Sequence, residues 1–364
     1  MIKYLFLIAF QFFAWQVPLY SYSQSLFKYD IEKITADVYV LKPVINEYRW
    51  VTANIVVIVG EDDIVVVDSG LLPDAAREAI REIRKISNKP VRQLLNTHWH
   101  GDHWQGNEVF AKEFPGLQII STEKNSEAIK RSGMVWINNF YPKYLQQMID
   151  GYEMEIKNNK PAGSDKNFNA NELELIKEGV GQVKEDLANM KKINPVFPNV
   201  IFNDKMIIKK GQRIFEFYYL GVGNTVGDAV LYLPNEKILI PGDLVVYPSP
   251  YESGAFSKEW VETSKKLKQF DFNYLVPGHG DVQHNTGYLD YLNDLYAELF
   301  RQMNDAYLRG KATIEEVQKM VTTESVTKEL NKNPKYVYFT KNLGNDFVPN
   351  AIRDSYRRLS IGIY

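Results

Sequence analysis

The sequence contains no cysteine. That removes disulfides, thiolate metal ligands and cysteine nucleophiles together, so a metal site in this chain must use histidine, aspartate, glutamate or amide oxygen. An excess of one charge is also lacking. Lysine and arginine number 43 against 45 aspartates and glutamates, a formal net charge of −2, so there is no electrostatic reason to expect nucleic acid as a partner. There is no long apolar span either. The one extended run, Tyr4 to Trp15, is about a dozen residues, where a membrane helix needs ~18 or more. No internal repeat or low-complexity segment is present. What is there, 45% hydrophobic and 24% charged residues in a chain of 364, is the composition of a globular protein with a substantial core. The length suits one large domain or two ordinary ones.

The apolar run reads as an export signal. Met1-Ile2-Lys3 supplies a positive start, and Ser21-Tyr22-Ser23 places small residues where a signal peptidase reads them, with cleavage before Gln24. With no cysteine at that point, a lipid-modified lipoprotein is excluded. The expectation is an exported soluble protein, periplasmic or extracellular, with residues 1–23 removed and no stable membrane insertion afterwards.

Histidine is scarce but concentrated. Three of the five fall in Thr97-His98-Trp99-His100-Gly101-Asp102-His103-Trp104. On extended backbone His98 and His100 point the same way, and a Gly-Asp-His turn brings Asp102 and His103 to a second, adjacent point. Nitrogen and oxygen donors converging from one short loop suit a borderline metal such as zinc. Trp99 and Trp104 flank the ligands and are expected to pack the loop.

In chain order, β-branched runs predict strands over Ile34–Leu41, Ala53–Val59 and Asp62–Asp68. A helix follows over Pro73–Ser87, with proline acceptable in its first turn. The strand Val91–Asn96 delivers the histidine loop at its C-terminal end, and Ile119-Ile120-Ser121 is a further short strand. From about residue 123 to 195 the pattern turns helical. Ile137, Tyr141, Leu145, Met148 and Tyr152 mark one amphipathic helix; Leu173, Ile176, Val180, Val183, Leu187 and Met190 mark a second, with Asn169 and Glu172 as its capping box. This is a helical hairpin inserted into an α/β domain. Strands resume at Val200–Phe202, Met206–Ile208, Ile214–Leu220, Ala229–Leu233 and Lys237–Ile240. A helix is expected over Trp260–Gln269, a last strand at Tyr274–Val276, and helices from Thr286 onward, with a capping box restarting at Thr313 and Glu316 and a final helix over Val348–Leu359.

Three further polar loops sit at the ends of these strands: Gly221 to Asp228 after Leu220, Pro241-Gly242-Asp243 after Ile240, and Pro277-Gly278-His279-Gly280 after Val276. Strand-end loops are where α/β scaffolds gather catalytic groups. His284, just beyond, is assigned no role.

With these residues in this order, and with Val67-Asp68-Ser69-Gly70 ending an earlier strand, the chain resembles the metallo-β-lactamase-fold hydrolases over roughly Ile34 to Gly280. That superfamily includes glyoxalase II, lactonases, phosphodiesterases and the lactamases. The resemblance implies an αββα sandwich, here with the inserted helical hairpin and a helical C-terminal extension. The expected division is residues 24–285, interrupted at about 123–195, then 286–364. It further implies that His98 and His100 ligate a first metal ion, that Asp102, His103 and His279 ligate a second, and that Asp243 bridges them. Asp68 would brace the histidine loop. The family has histidine where this chain has Asn224, whose amide oxygen is a weaker donor to zinc than imidazole. The Asp102/His103/His279 site is therefore expected to fill first, with one or two zinc ions in all; iron is an alternative. The implied activity is metal-assisted hydrolysis, with Asp102 or Asp243 orienting the attacking water, on a small-molecule ester, lactone, lactam or phosphoester. Two other readings stay open: an iron-dependent oxygenase of the same fold, and a metal-bearing binding protein whose altered Asn224 site has lost turnover.

Overall fold

The computed structural model describes residues 27–44, 52–251, 257–308 and 313–361. The expected signal segment lies outside them.

Two sheets form the middle of the molecule. The first runs in chain order across β1 (Tyr29–Lys33), β2 (Val38–Pro43), β3 (Ile55–Val59), β4 (Ile64–Val67), β5 (Val91–Leu95), β6 (Gln118–Thr122) and β7 (Val200–Phe202). The second has the order β12 (Tyr274–His279), β11 (Ile238–Val246), β10 (Ala229–Leu233), β9 (Arg213–Tyr219), β8 (Lys205–Lys210). β3 and β4 are apolar at every position because both faces are covered. Val38, Val56, Val65 and Leu95 from one sheet meet Phe215, Phe217, Leu231 and Ile240 from the other in a buried core between them.

Helices cover both outer faces. On the first sheet lie α1 (Pro73–Ile86), the short α2 (Gly101–Trp104) and α3 (Asn107–Glu113), with Ala76, Ala79, Ile80 and Phe110 against Ile55, Val57, Val66 and Leu94. α1 begins on its proline and carries Asp74 in its first turn and Arg84 and Lys85 in its last, each the sign its dipole favours. The insert between β6 and β7 comprises α4 (Glu123–Ala128), two π-helical turns at Ile129–Gly133 and Trp136–Phe140, α5 (Tyr141–Asn158) and α6 (Ala170–Met190). On the second sheet lie α7 (Ser257–Leu267) and α8 (Gly287–Leu308), followed by α9 (Ile314–Met320), α10 (Thr323–Leu330), α11 (Val337–Lys341) and α12 (Phe347–Ile361). Trp260, Leu292, Leu295, Leu299 and Val348 share a core with Leu239 and Leu244. The fold is thus a mixed α/β sandwich of helix, sheet, sheet and helix. No helix among the described residues is long and apolar enough to cross a membrane.

Several elements differ from the sequence reading. The single strand expected over Ile34–Leu41 is the second arm of a hairpin: β1, polar at Asp30, Glu32 and Lys33, pairs with β2 around a turn at residues 34–37. The first insert helix is preceded by the two π-helical turns, which periodicity alone does not reveal. Asp243 lies inside a nine-residue strand instead of in a loop after it, and His279 ends β12 instead of following it. The two expected capping boxes, Asn169 with Glu172 and Thr313 with Glu316, are both formed.

Candidate metal centre

Neighbouring parallel strands of the first sheet, β4 and β5, end side by side, and so do β11 and β12 of the second. All four carry candidate residues at or near those ends, as parallel α/β sheets do at their carboxyl edge. After β5 the chain runs extended through Thr97 to His100, then turns into α2, whose first turn holds Asp102 and His103. In β11 the pairing with β12 shifts register on both sides of Gly242. Such bulges re-aim a side chain, and here the residue is Asp243. Gly242 sits at φ +56 against Thr97, and a Cβ at Gly278 would lie 1.9 Å from Asp243 Oδ1. Only glycine at 278 leaves room for that carboxylate.

Six side chains converge in two groups of three, His98, His100 and Asp243, and Asp102, His103 and His279. In each group the donor atoms lie within 4.8 Å of one another. His98 Nε2 is 2.9 Å from His100 Nδ1 and 3.5 Å from Asp243 Oδ2. His279 Nε2 is 3.2 Å from Asp102 Oδ2 and 3.5 Å from Asp243 Oδ2, and His103 Nε2 is 3.4 Å from Asp243 Oδ1 and 3.6 Å from Asp102 Oδ2. Asp243 therefore faces both groups. The second group confronts two carboxylates, the first only one.

The far sides of two imidazoles are held. Asp68, in the left-handed region at φ 63, reaches His103 Nδ1 at 2.7 Å while accepting from the Thr97 amide at 2.8 Å and the Thr97 hydroxyl at 2.9 Å. Thr97 Oγ1 in turn lies 3.1 Å from His98 Nδ1. With Nδ1–H of His103 committed to Asp68, its Nε2 lone pair is directed into the cluster.

Burial opposes charge on every imidazole here, and the two groups respond in opposite directions. His98 is held well below the usual histidine range by burial and by neighbouring His103, and burial lowers His100 to about 4. At His279 the burial cost is outweighed by Asp243 and Asp102, which raise it to about 10; His103 is likewise raised well above its ordinary value by Asp102, Asp243 and Asp68. Burial alone would raise Asp243, but His279, His103 and His98 pull it well below the carboxylate range.

The cluster fits a metal. Buried Nε2 of His100, Nε2 of His103, Oδ1 of Asp243 and Oδ1 of Asn224 have no hydrogen-bond partner, an expensive condition for polar atoms unless something else satisfies them. The carboxylates of Asp68, Asp102 and Asp243 pair here with imidazoles, and a bound cation would take over as their counter-charge once His103 and His279 give up their protons. His98, His100, Asp102, His103 and His279, with Asp243 between the groups, are the residues that would hold it.

Asn224 is fully buried in the loop between β9 and β10. Its Nδ2 donates to the Tyr251 carbonyl at 3.1 Å. The reversed amide would set oxygen against oxygen, so the unpartnered Oδ1 faces the other way. That loop is held by Asp228, which accepts from the Thr225 amide and hydroxyl at 2.8 Å each, and which burial raises to about 7. Trp104 is buried and donates to the Trp99 carbonyl at 2.9 Å, a packing role.

Sequence reasoning missed several contributors. Asn54 donates through Nδ2 to the carbonyls of Pro277 and Gly280, fixing the turn that carries His279, but those partners lie more than 220 positions away. Trp136, from the second π-helical turn, stacks on His100 with ring centres 5.9 Å apart and meets Trp99 at 5.2 Å. Tyr251 meets His100 edge-on at 6.4 Å. Beyond Trp136 the aromatic surface continues to Phe140, 4.5 Å away, and Tyr144, both exposed. The convergence of Trp136 and Tyr251 on His100 joins separate elements, so local sequence does not show it.

The family model for the metallo-beta-lactamase superfamily matches residues 48–279. The chain belongs to that superfamily. A linear primary-alkylsulfatase of Pseudomonas sp. is 23% identical over 309 residues, 81% of this chain and 53% of that protein. A type 2 metallo-beta-lactamase of Elizabethkingia meningoseptica is 22% identical over 227 residues, 60% of this chain and 85% of the enzyme. Among solved structures, an inverting sec-alkylsulfatase from Pseudomonas sp. superposes with a TM-score of 0.62 at 16% identity, covering 92% of this chain and 51% of its own. A metallo-beta-lactamase from Pontibacter korlensis gives 0.50 at 18%, covering 74% and 99%. The chain thus spans about half the length of the alkylsulfatases, and at these identities the likeness to solved structures is one of fold.

Proposed function

We propose that the protein is an exported zinc hydrolase that cleaves an ester bond beside an apolar group. The observation that carries the reading is the pair of buried donor groups sharing Asp243, with His103 oriented by Asp68. When bound, zinc would supply Lewis acidity and bring the pKa of a coordinated water from ~16 toward ~7. Asp102, whose side chain keeps 12% of its surface exposed, is placed to orient the attacking water and hold its proton. Asp243, buried and kept anionic, holds the two groups in register. The aromatic wall of Trp136, Phe140 and Tyr251 takes the apolar part of the substrate and excludes water. Coverage of 92% of the chain by an alkylsulfatase fold supports including sulfate esters with carboxylic and phosphoric esters, lactones and lactams. The N-terminal signal features support export.

The test is to strip the protein with chelator, reload it with zinc or ferrous iron, and assay aryl sulfate, aryl ester, lactone, lactam and phosphodiester probes with parallel oxygen uptake. Hydrolysis restored by zinc and abolished in Asp102→Ala is expected. Oxygen consumption with iron and no hydrolysis would replace this reading with the oxygenase one. Metal binding without turnover of any probe would leave a binding protein.

A further inference from the structure

The C-terminal helices lie on the outer face of the second sheet, but they also touch the segment that leads out of the site. After β11 the chain runs Tyr247-Pro248-Ser249-Pro250-Tyr251. The two prolines have no N–H to donate, so the segment must be tied by other groups. On its inner side the Tyr247 amide donates to the His279 carbonyl at 3.1 Å. On its outer side Tyr288 of α8, fully buried, donates its hydroxyl to the Val246 carbonyl at 2.5 Å and sets its ring 5.0 Å from Tyr247. The Tyr247 and Tyr338 hydroxyls lie 3.5 Å apart. Gly344, between α11 and α12, donates its amide to Ser249 Oγ at 3.0 Å. At the far end the Tyr251 carbonyl accepts from Asn224 and the Tyr251 ring faces His100.

We infer that the C-terminal helical extension is a working part of the site: by clamping residues 246–251 it sets Tyr251 against His100 and Asn224, with Ser249 as the positioning residue. Tyr251 is half exposed, so its own burial does not hold it in place. The ties at Val246, Tyr247 and Ser249 and the Asn224 bond to its carbonyl bear on its position. Ser249 supplies the side-chain acceptor for the turn between α11 and α12, beside the Tyr338–Tyr247 hydroxyl contact from α11. The kinetic consequence rests on the hydrolase reading; the structural one does not.

The test compares the zinc-loaded full chain with Ser249→Ala and Ser249→Thr. Amide hydrogen exchange is followed across residues 221–228 and 246–251 and at Gly344, beside KM and kcat for an aryl ester and the bound zinc per chain. Loss of one hydrogen bond, about 1 kcal/mol, is expected to speed exchange roughly fivefold in both segments in Ser249→Ala. KM should rise by a similar factor, with kcat within twofold and zinc unchanged, and Ser249→Thr should restore wild-type values. Faster exchange confined to Gly344 with KM unchanged would overturn the inference, as would zinc and kcat falling together. Should Ser249→Ala not fold, Tyr338→Phe must move exchange in residues 246–251 the same way, and no change there overturns it. If no probe is turned over, the exchange measurement still decides.

Discussion

Asp68 occupies a backbone conformation that aspartate adopts rarely and asparagine tolerates equally. Its carboxylate collects three donors, one of them the far nitrogen of His103. Asp68→Asn keeps the size and the left-handed backbone while removing the charge that fixes the ring. Zinc affinity, read by competition with a colorimetric chelator, is expected to fall about 10- to 100-fold, the usual effect of losing an outer partner of a metal-bound imidazole. An unchanged affinity would mean that His103 is oriented by packing alone. Asn224 makes a complementary case. It is a neutral donor where the candidate ligands are imidazoles and carboxylates, so one ion per chain is expected to bind tightly, at Asp102, His103 and His279. Asn224→His is expected to add a second tight ion in a zinc titration. Two equally tight ions in the unaltered protein would remove the proposed order of filling.

At the scale of elements, what could be read in advance was what is local. The strand Val91–Leu95 and the donors just after it appear together because a β-branched run and its terminal loop are adjacent in sequence. β1 was hidden because an edge strand with Asp30, Glu32 and Lys33 lacks an apolar pattern. Asp243 was placed just outside its strand because a bulge, not a turn, presents it, and nothing in Pro-Gly-Asp distinguishes the two. Asn54 and Trp136 were silent because their partners come from other elements. Trp136 in particular sits on a π-helical turn whose frame differs from the 3.6-residue period used to read the insert. That turn carries a prediction of its own. Trp136→Ala removes the ring stacked on His100 and is expected to cost ~1–2 kcal/mol of binding to an aryl or long-chain ester, roughly five- to thirtyfold in KM. An acetate or other short ester should be little affected. Equal losses for long and short substrates would place the apolar group elsewhere.

For the whole molecule, the cluster couples stability to both metal and pH. In the metal-free chain His279 is raised to about 10 by Asp243 and Asp102 against the cost of burial. A group with a raised folded pKa stabilises the fold fully below its unfolded value of ~6.5 and loses that contribution as pH climbs through the folded value. Asp228, raised to about 7 by burial, acts with the same sign in its own window, from ~4 up through 7. His100, lowered to about 4, acts oppositely: its contribution is present above ~6.5 and is lost as pH falls toward 4. Between pH 6.5 and 8.5 the His279 trend dominates, joined by the end of the Asp228 trend near pH 7, and the metal-free protein should melt at progressively lower temperature. Zinc held by His279 would require its lone pair and so would displace a proton across this range. Its apparent affinity should therefore rise with pH by up to about tenfold per unit for each proton released. At a free zinc concentration held near 100 times Kd, the stabilisation is ~2.7 kcal/mol, and at fixed zinc it should grow as the metal-free protein weakens. Thermal melts with and without buffered zinc at pH 6.5, 7.5 and 8.5 measure both slopes. A zinc-dependent shift that is flat or shrinks with pH would mean that His279 enters the cluster already neutral, and that the two carboxylates facing it do not govern its charge.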